Sequence, residues 1–245
     1  SDVRTRTHEY GGGAFLCNAD RRFYINNSDQ QIYEVLEKGE SKQITHQSTY
    51  RFADMILDQN RGLLFAVGED HSDPQNIENY LVNISLATGE MSIIAEGHDF
   101  YSNPQLSPDG KQLLFLIWDH PNMPWDGTQL MLANLKEDGS FHSVQGIAGG
   151  KQESIFQPLW DPDGSIYFIS DRNGWWNIYH YSETQTTCVL EKEAEFGLPQ
   201  WVFGMSKYTV LNSGDLVAAY SDMTGSHLTR IDVNSRTSKE IKTAF

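Results

Sequence analysis

Cysteine is almost missing from this chain: Cys17 and Cys188 are the only two in 245 residues. Two distant thiols build neither a disulfide scaffold nor a zinc site, and such thiol-poor composition fits a reducing compartment, so a cytoplasmic location is expected. Long apolar runs are also lacking, and none approaches the roughly 18 residues of a membrane span. The leading Ser1-Asp2-Val3-Arg4-Thr5-Arg6 has no apolar stretch of the secretory type, so neither a signal nor a membrane is expected. Basic residues are scarce as well, 18 against 33 acidic ones, for a net charge of −15. That balance would repel phosphate backbones and argues against nucleic acid. It serves solubility, with a secondary tilt toward cationic or amine-bearing ligands.

The usual signatures of catalysis are absent too. No Gly-x-Ser-x-Gly occurs; Gly204-Met205-Ser206-Lys207-Tyr208 comes nearest and lacks the second glycine of a nucleophile elbow. There is no phosphate-binding Gly-x-x-x-x-Gly-Lys, no dinucleotide fingerprint and no His-Glu-x-x-His. Gly11-Gly12-Gly13 precedes a strand pattern, so no helix dipole is available for a phosphate, and tight backbone packing is the expected role. His98-Asp99 and Asp119-His120 are adjacent pairs whose side chains would point to opposite faces of a strand. Turn capping or solvation is expected of them. No catalytic residue, metal ligand or cofactor site is therefore assigned.

What the chain does contain is a repeated cassette. Asn103-Pro104-Gln105-Leu106-Ser107-Pro108-Asp109-Gly110 leads into the apolar run 113–118, and Gln157-Pro158-Leu159-Trp160-Asp161-Pro162-Asp163-Gly164 leads into 165–170. In each, a strand enters a Pro-Asp-Gly turn and leaves as a second strand: Pro sets φ, Asp caps the turn and Gly accepts a positive φ. Aligned on Pro-x-apolar, the cassettes start at Pro104, Pro158 and Pro199, spaced by 54 and then 41 residues (104 to 158, 158 to 199). That is the size of a four-strand repeat.

Period-2 patterning and turn punctuation divide the chain into five such units, at 13–47, 49–96, 99–148, 151–191 and 193–243. Their first strands are expected at 14–18, 52–58, 104–107, 158–161 and 208–211, and the last strand of all at 239–243. No segment carries a helical stripe. An all-β chain of four-stranded repeats predicts a β-propeller, part of a larger one, because radial stacking buries both faces of each sheet. A β-sandwich would explain the strand number but not the recurrence. The units differ most between their second and third strands, at 69–76 and 118–127, where a rigid scaffold carries recognition chemistry.

Four longer motifs carry a family resemblance: His8-Glu9-Tyr10-Gly11-Gly12-Gly13, Gly97-His98-Asp99-Phe100-Tyr101, His120-Pro121-Asn122-Met123-Pro124-Trp125-Asp126-Gly127-Thr128 and Glu195-Phe196-Gly197-Leu198-Pro199-Gln200-Trp201-Val202-Phe203-Gly204. Together they resemble the N-terminal propeller of prolyl-oligopeptidase-family (S9) serine peptidases, in the acylaminoacyl-peptidase and dipeptidyl-aminopeptidase-like branch. The Ser-Pro-Asp-Gly pieces are shared more widely, with TolB-like propellers. The resemblance implies a seven-bladed propeller capping an α/β-hydrolase domain that supplies the Ser, Asp and His of a triad. Only five repeats and no hydrolase half are present here, so the chain resembles a piece of such an enzyme. The implied partners are a C-terminal hydrolase domain of the same protein and peptide substrates.

Two functional classes stay open at this stage. One is a non-catalytic propeller that gates and positions peptides for a triad elsewhere; the other is a TolB-like interaction platform with no enzyme attached. A stand-alone propeller lactonase would need carboxylates, Asn and His around a calcium ion, and no spacing compels that. If the module touches substrate, the expected contacts lie at the starts of the innermost strands and in the long loops. These are Arg51 beside Tyr50, Tyr101 beside Phe100, Trp125 and Asp126, Glu153 and Phe156, and Glu195 and Phe196. The competing expectation is that the aromatics line and plug the axial channel.

Overall fold

The computed structural model describes residues 2–18 and 20–242. Its strands form five four-stranded antiparallel sheets, each built from four strands consecutive in sequence. Their first strands are Phe15–Cys17, Tyr50–Asp58, Phe100–Leu106, Ile155–Trp160 and Tyr208–Val210. Each of the first three packs against the first strand of the next sheet. The only helical element among the described residues is a 3-10 turn at Glu37–Gly39. The chain is an all-β propeller of four-stranded blades. Thr243, expected in the last strand, lies outside the described residues.

The blades stack because their second strands are apolar on both faces. In Leu63–Asp70, Leu64 and Ala66 enter the core between blades 1 and 2, while Phe65 and Val67 enter the core between blades 2 and 3. In Gln112–Trp118, Leu113, Phe115 and Ile117 face blade 2, and Leu114 and Leu116 face blade 4. Ile166–Ser170 repeats the pattern, with Ile166 and Phe168 on one side and Tyr167 and Ile169 on the other. A strand with alternate side chains in two different cores reads as a continuous apolar run. Each such leucine, isoleucine or phenylalanine contributes about 1.5–3 kcal/mol of burial.

Both Pro-Asp-Gly turns form as expected. Gly110 N donates to Ser107 O at 2.9 Å and Gly164 N to Asp161 O at 3.0 Å, with φ of 71° and 89°. Asp109 Oδ1 accepts from Lys111 N at 3.0 Å, and Asp163 Oδ1 from Ser165 N at 2.8 Å.

The first strands differ from expectation in an informative way. Two begin well before the prolines that were read as their starts, at Phe100 and Ile155. A β-bulge makes this possible: Asn103 (φ 52°) and Gln157 (φ 48°) take left-handed backbone and the pairing register slips beside them. The proline that follows thus sits at an irregularity in the ladder, where its missing N–H is tolerated. The true third copy is Asp54 (φ 56°) in blade 2, where the register also slips. Pro199 belongs instead to the link between blades 4 and 5, and Pro199-Gln200-Trp201 is no strand.

Bulge residues also join neighbouring blades around the axis. Asp54 N donates to Gly13 O at 3.0 Å, and Asp54 Oδ2 accepts from Asn103 N at 2.7 Å. Gln157 Oε1 accepts from Lys207 N at 2.6 Å, its Nε2 donates to Tyr208 O at 2.7 Å, and Tyr208 Oη donates to Gln157 O at 2.8 Å. Between blades 3 and 4, Trp160 Nε1 donates to Gln105 O at 3.0 Å.

Asp54 makes its junction between blades pH-dependent. Desolvation pushes its carboxyl up to about 6, opposed only by the hydrogen bond from Asn103. A raised acid is destabilising when ionised, so its cost is absent below the ordinary carboxylate range and fully present above about pH 6. The upper bound is about 3 kcal/mol, reduced because the side chain keeps some solvent contact. Asp54→Asn retains an oxygen for Asn103 N. We expect the variant to be about 1–2 kcal/mol more stable than the parent at pH 8, the gap closing toward pH 4. Denaturant titrations at both pH values check this; an equal difference at the two would refute it.

Candidate functional site: an aromatic cavity at the loop face

Residues 189–207 leave the edge of blade 4 and cross toward the start of the chain before blade 5 begins. Phe203 enters the core between blades 2 and 3, beside Ala53, Phe65 and Tyr101. Its amide donates to Gly11 O at 2.9 Å, and Gly12 pairs with it in a parallel bridge. The triple glycine makes this approach possible. Gly12 has φ 91°, and a Cβ there would lie 2.6 Å from Phe203 N; one on Gly13 would lie 3.0 Å from Asp54 N. Tight backbone packing, the role expected of these glycines, is the role they have.

This crossing brings all four long motifs to one place. A cavity of about 390 Å³ opens there, lined by His8, Glu9 and Tyr10, by Asp99 and Phe100, by Trp118, His120 and 123–125, and by Trp201 to Phe203, with Glu69 and Asn79 from blade 2. Phe100 and Trp118 stack with centroids 5.2 Å apart, and Trp201 packs on Trp125 at 4.5 Å and on Tyr10 at 5.5 Å. The His8 ring lies among Phe203, Phe100 and Trp118, with centroids at 4.7, 5.0 and 5.8 Å. Burial pushes its pKa down to about 4, so the imidazole is neutral near pH 7. Asn79 opposes that shift, yet neither His8 Nε2 nor Asn79 Oδ1 has a hydrogen-bond partner among the described residues.

Charged residues hold the walls. Glu69 Oε1 accepts from His8 N at 3.0 Å, and its Oε2 meets His71 Nε2 at 2.8 Å and Arg51 Nη1 at 3.6 Å. The two His/Asp pairs form a crossed lock between loops: His98 Nδ1 meets Asp119 Oδ2 at 3.0 Å, and His120 Nδ1 meets Asp99 Oδ2 at 2.9 Å. Asp119 also accepts from Asp99 N at 2.8 Å, and Asp99 from His120 N at 2.8 Å. The loop after Trp118 is tied to the next blade by Asn122 Nδ2 donating to Lys151 O at 3.0 Å and Ser154 Oγ donating to Pro124 O at 2.9 Å. Among the described residues, no group of three or more His, Cys, Asp or Glu is placed to hold a metal ion.

The residues named from sequence fall into three groups. Trp125 and its companion Phe100 line the cavity; Arg51 stands behind it, donating to Arg6 O at 3.1 Å as well as pairing with Glu69. Tyr101, Phe156 and Phe196 are core side chains, each at most 2% exposed. Burial pushes the Tyr101 phenol up to about 12, and Phe156 lies parallel to Trp176. Asp126, Glu153 and Glu195 hold loops: Asp126 accepts from Met123 N at 2.8 Å, Glu153 from Ser170 Oγ at 2.6 Å and Arg172 Nη2 at 2.7 Å, and Glu195 from Trp176 N at 3.0 Å. Sequence reasoning had not marked His8, Asn79, Trp118 or Trp201 as site residues. Membership of the long motifs could have flagged His8 and Trp201; Asn79 carries no local signal.

Consecutive four-stranded blades with a cavity at their loop face define a β-propeller module with a candidate binding site. No described protein family matches the sequence, and no curated protein is similar to it in sequence. Among solved structures the chain is similar to puromycin hydrolase, with a TM-score of 0.90 and 28% identity over 99% of this chain. It is equally similar to a puromycin-hydrolyzing peptidase of Mycobacterium tuberculosis, with a TM-score of 0.89 and 30% identity over the whole chain. It spans 40% of the length of either enzyme. TolB from Acinetobacter baumannii, 16% identical with a TM-score of 0.57 over 97% of this chain and 51% of its own, shares the fold alone. These likenesses bear out the resemblance to the propeller of prolyl-oligopeptidase-family peptidases.

The crossing segment makes a sharp prediction about two glycines of similar φ. Gly12→Ala adds a Cβ against the Phe203 backbone, whereas Gly164→Ala, at φ 89°, meets open space. The second should cost only the left-handed penalty of about 1–2 kcal/mol. The first should cost at least about 4 kcal/mol, since neither backbone can yield without breaking the bridge. Equal losses of Tm for the two variants would show that the segment does not seat as described.

Proposed function

We propose that this chain is the propeller module of a serine peptidase, which admits and orients small peptide substrates for a hydrolase domain supplied by the rest of the protein. The likeness to two puromycin-hydrolysing enzymes over nearly the whole chain carries this reading. The convergence of the four motifs on one cavity supports it, because a structural repeat alone would not gather its longest insertions around a pocket.

The module's contribution is steric and electrostatic. Blades buried on both faces do not splay, and Phe203 packs into the core between blades 2 and 3, so neither a folded protein nor a long polypeptide is admitted. Small substrates meet instead an apolar, acid-rimmed pocket that fixes one end while the reacting bond is presented elsewhere. Orientation of this kind lowers the barrier by restricting the substrate before chemistry begins. Bond cleavage would follow the acyl-transfer route of an activated serine that this chain does not provide. Its two unpaired cysteines suit work in a reducing compartment such as the cytoplasm.

The full-length protein should hydrolyse puromycin and short aminoacyl arylamides while leaving a long unfolded polypeptide such as reduced casein almost untouched. Trp125→Ala should raise KM for the short substrates about fivefold or more and leave kcat within about twofold. Steady-state kinetics on the three substrates provide the check. Cleavage of casein as fast as the arylamides would remove the gating role, and an unchanged KM would remove the cavity from substrate binding.

A further inference from the structure

A second cavity, of about 550 Å³, shares no lining residue with the aromatic one. Its walls are the turn between the second and third strands of blade 1, the link from blade 1 to blade 2, and the side chains of Arg6, Arg51 and His71. In a chain with 18 basic and 33 acidic residues its charge is inverted: two arginines and two histidines line it against one carboxylate, that of Asp29. Asp29 is already engaged, accepting from Tyr33 Oη at 2.7 Å and from Gln31 N at 3.1 Å. Arg51 and His71 are engaged as well, on Glu69. Arg6 is not. Its backbone N–H donates to Gln30 Oε1 at 2.8 Å and its carbonyl accepts from Arg51 Nη1 at 3.1 Å, which holds the main chain in place. Its exposed guanidinium has no partner among the described residues. The same wall carries an unused acceptor. Gln31 is 3% exposed; its Nε2 donates to Gln47 O at 2.8 Å and to Asp29 O at 3.2 Å, and its Oε1 has no partner.

The cavity therefore pairs a free guanidinium with a buried acceptor that lacks a hydrogen. A cation would be repelled by Arg6 and Arg51. A simple anion would pair with Arg6 but leave Gln31 Oε1 unsatisfied, which is costly. A neutral donor would satisfy Gln31 and forgo the two parallel N–H···O bonds that an arginine makes with a carboxylate. A carboxylate with an N–H on the neighbouring carbon uses both groups. We propose that this cavity binds the carboxyl end of a peptide, with the terminal carboxylate on Arg6 and the last amide N–H on Gln31 Oε1. The peptide as occupant rests on the proposed function, which it deepens by placing one end of the substrate; the pairing of carboxylate with N–H rests on the cavity alone.

The probe is N-acetylalanine, which carries a carboxylate beside an N–H and has no bond between residues to cleave. Two relatives each remove one feature: N-acetylalaninamide has no charge, and N-acetyl-N-methylalanine has no N–H. In ligand-observed NMR titrations of the full-length protein at pH 7 and low salt, we expect the acid to bind about fivefold more tightly than either relative. Arg6→Gln, a change at an exposed side chain, should cut the preference over the amide to within about twofold and leave the preference over the N-methyl acid unchanged. Gln31→Leu should do the reverse. Should Gln31→Leu fail to fold, the N-methyl acid tests the same hydrogen bond on the unaltered protein. Raising the salt to about 0.5 M should narrow the preference for the acid over the amide, because Arg6 is exposed. Equal affinity for acid and amide, equal affinity for acid and N-methyl acid, an unchanged preference in Arg6→Gln, or no binding of any probe would each overturn the proposal. A protein that holds N-acetylalanine yet hydrolyses no peptide would overturn the peptidase reading and leave the carboxylate site standing. A working peptidase that does not hold it would do the opposite.

Discussion

Everything in this molecule depends on strands that bury both faces at once. The second strands of blades 2, 3 and 4 send alternate side chains into two separate cores, so each blade is a wall shared by its neighbours. A single blade cannot bury its apolar surface, because half of that surface belongs to the next interface. Stability is therefore a property of the stack. A charged residue at Leu114 or Phe168 would damage two blades, not one.

That constraint fixes the spacing of blades but not what happens at their inner edges, where the first strands have polar backbone to satisfy. The bulges at Asp54, Asn103 and Gln157 meet this need. A left-handed residue interrupts pairing within the blade and turns backbone and side-chain groups toward the next one. The link between blades 4 and 5 then lays Phe203 against Gly11 and Gly12. The cavity depends on that contact: its walls come from the leading segment, from blades 2 and 3 and from the link.

Much of the architecture was readable from residues. Pro108-Asp109-Gly110 and Pro162-Asp163-Gly164 are turns for local reasons, and the apolar run 113–118 is a two-faced strand because period-2 alternation disappears when both faces are buried. The reading failed where a local rule met a tertiary exception. Pro104 and Pro158 looked like strand starts, yet bulges let the strands run on; Pro199 looked like a third copy, yet its segment crosses to the start of the chain. For the site, Trp125 was found because it sits in a long insertion, and Phe100 because it enters an innermost strand. Glu153 and Glu195 were chosen for their charge, and the structure spends that charge on Arg172 and on the Trp176 amide. Asn79 was invisible, since an asparagine inside an alternating strand looks the same whether or not its carbonyl is left unpaired.

The repeat and its turns are written in the residues, since they follow from short-range sterics and the alternation of side chains along a strand, and four motifs carry the family likeness. Which distant segments meet is set by the packing of the whole chain. Four motifs separated by nearly 200 positions (8 to 204) share one cavity because two glycines without Cβ atoms, Gly12 and Gly13, let Phe203 approach their backbone. Burial, in turn, leaves His8 neutral and Asn79 Oδ1 unsatisfied at its wall. Desolvation and close backbone approach are properties of assembled space, and no local pattern encodes them.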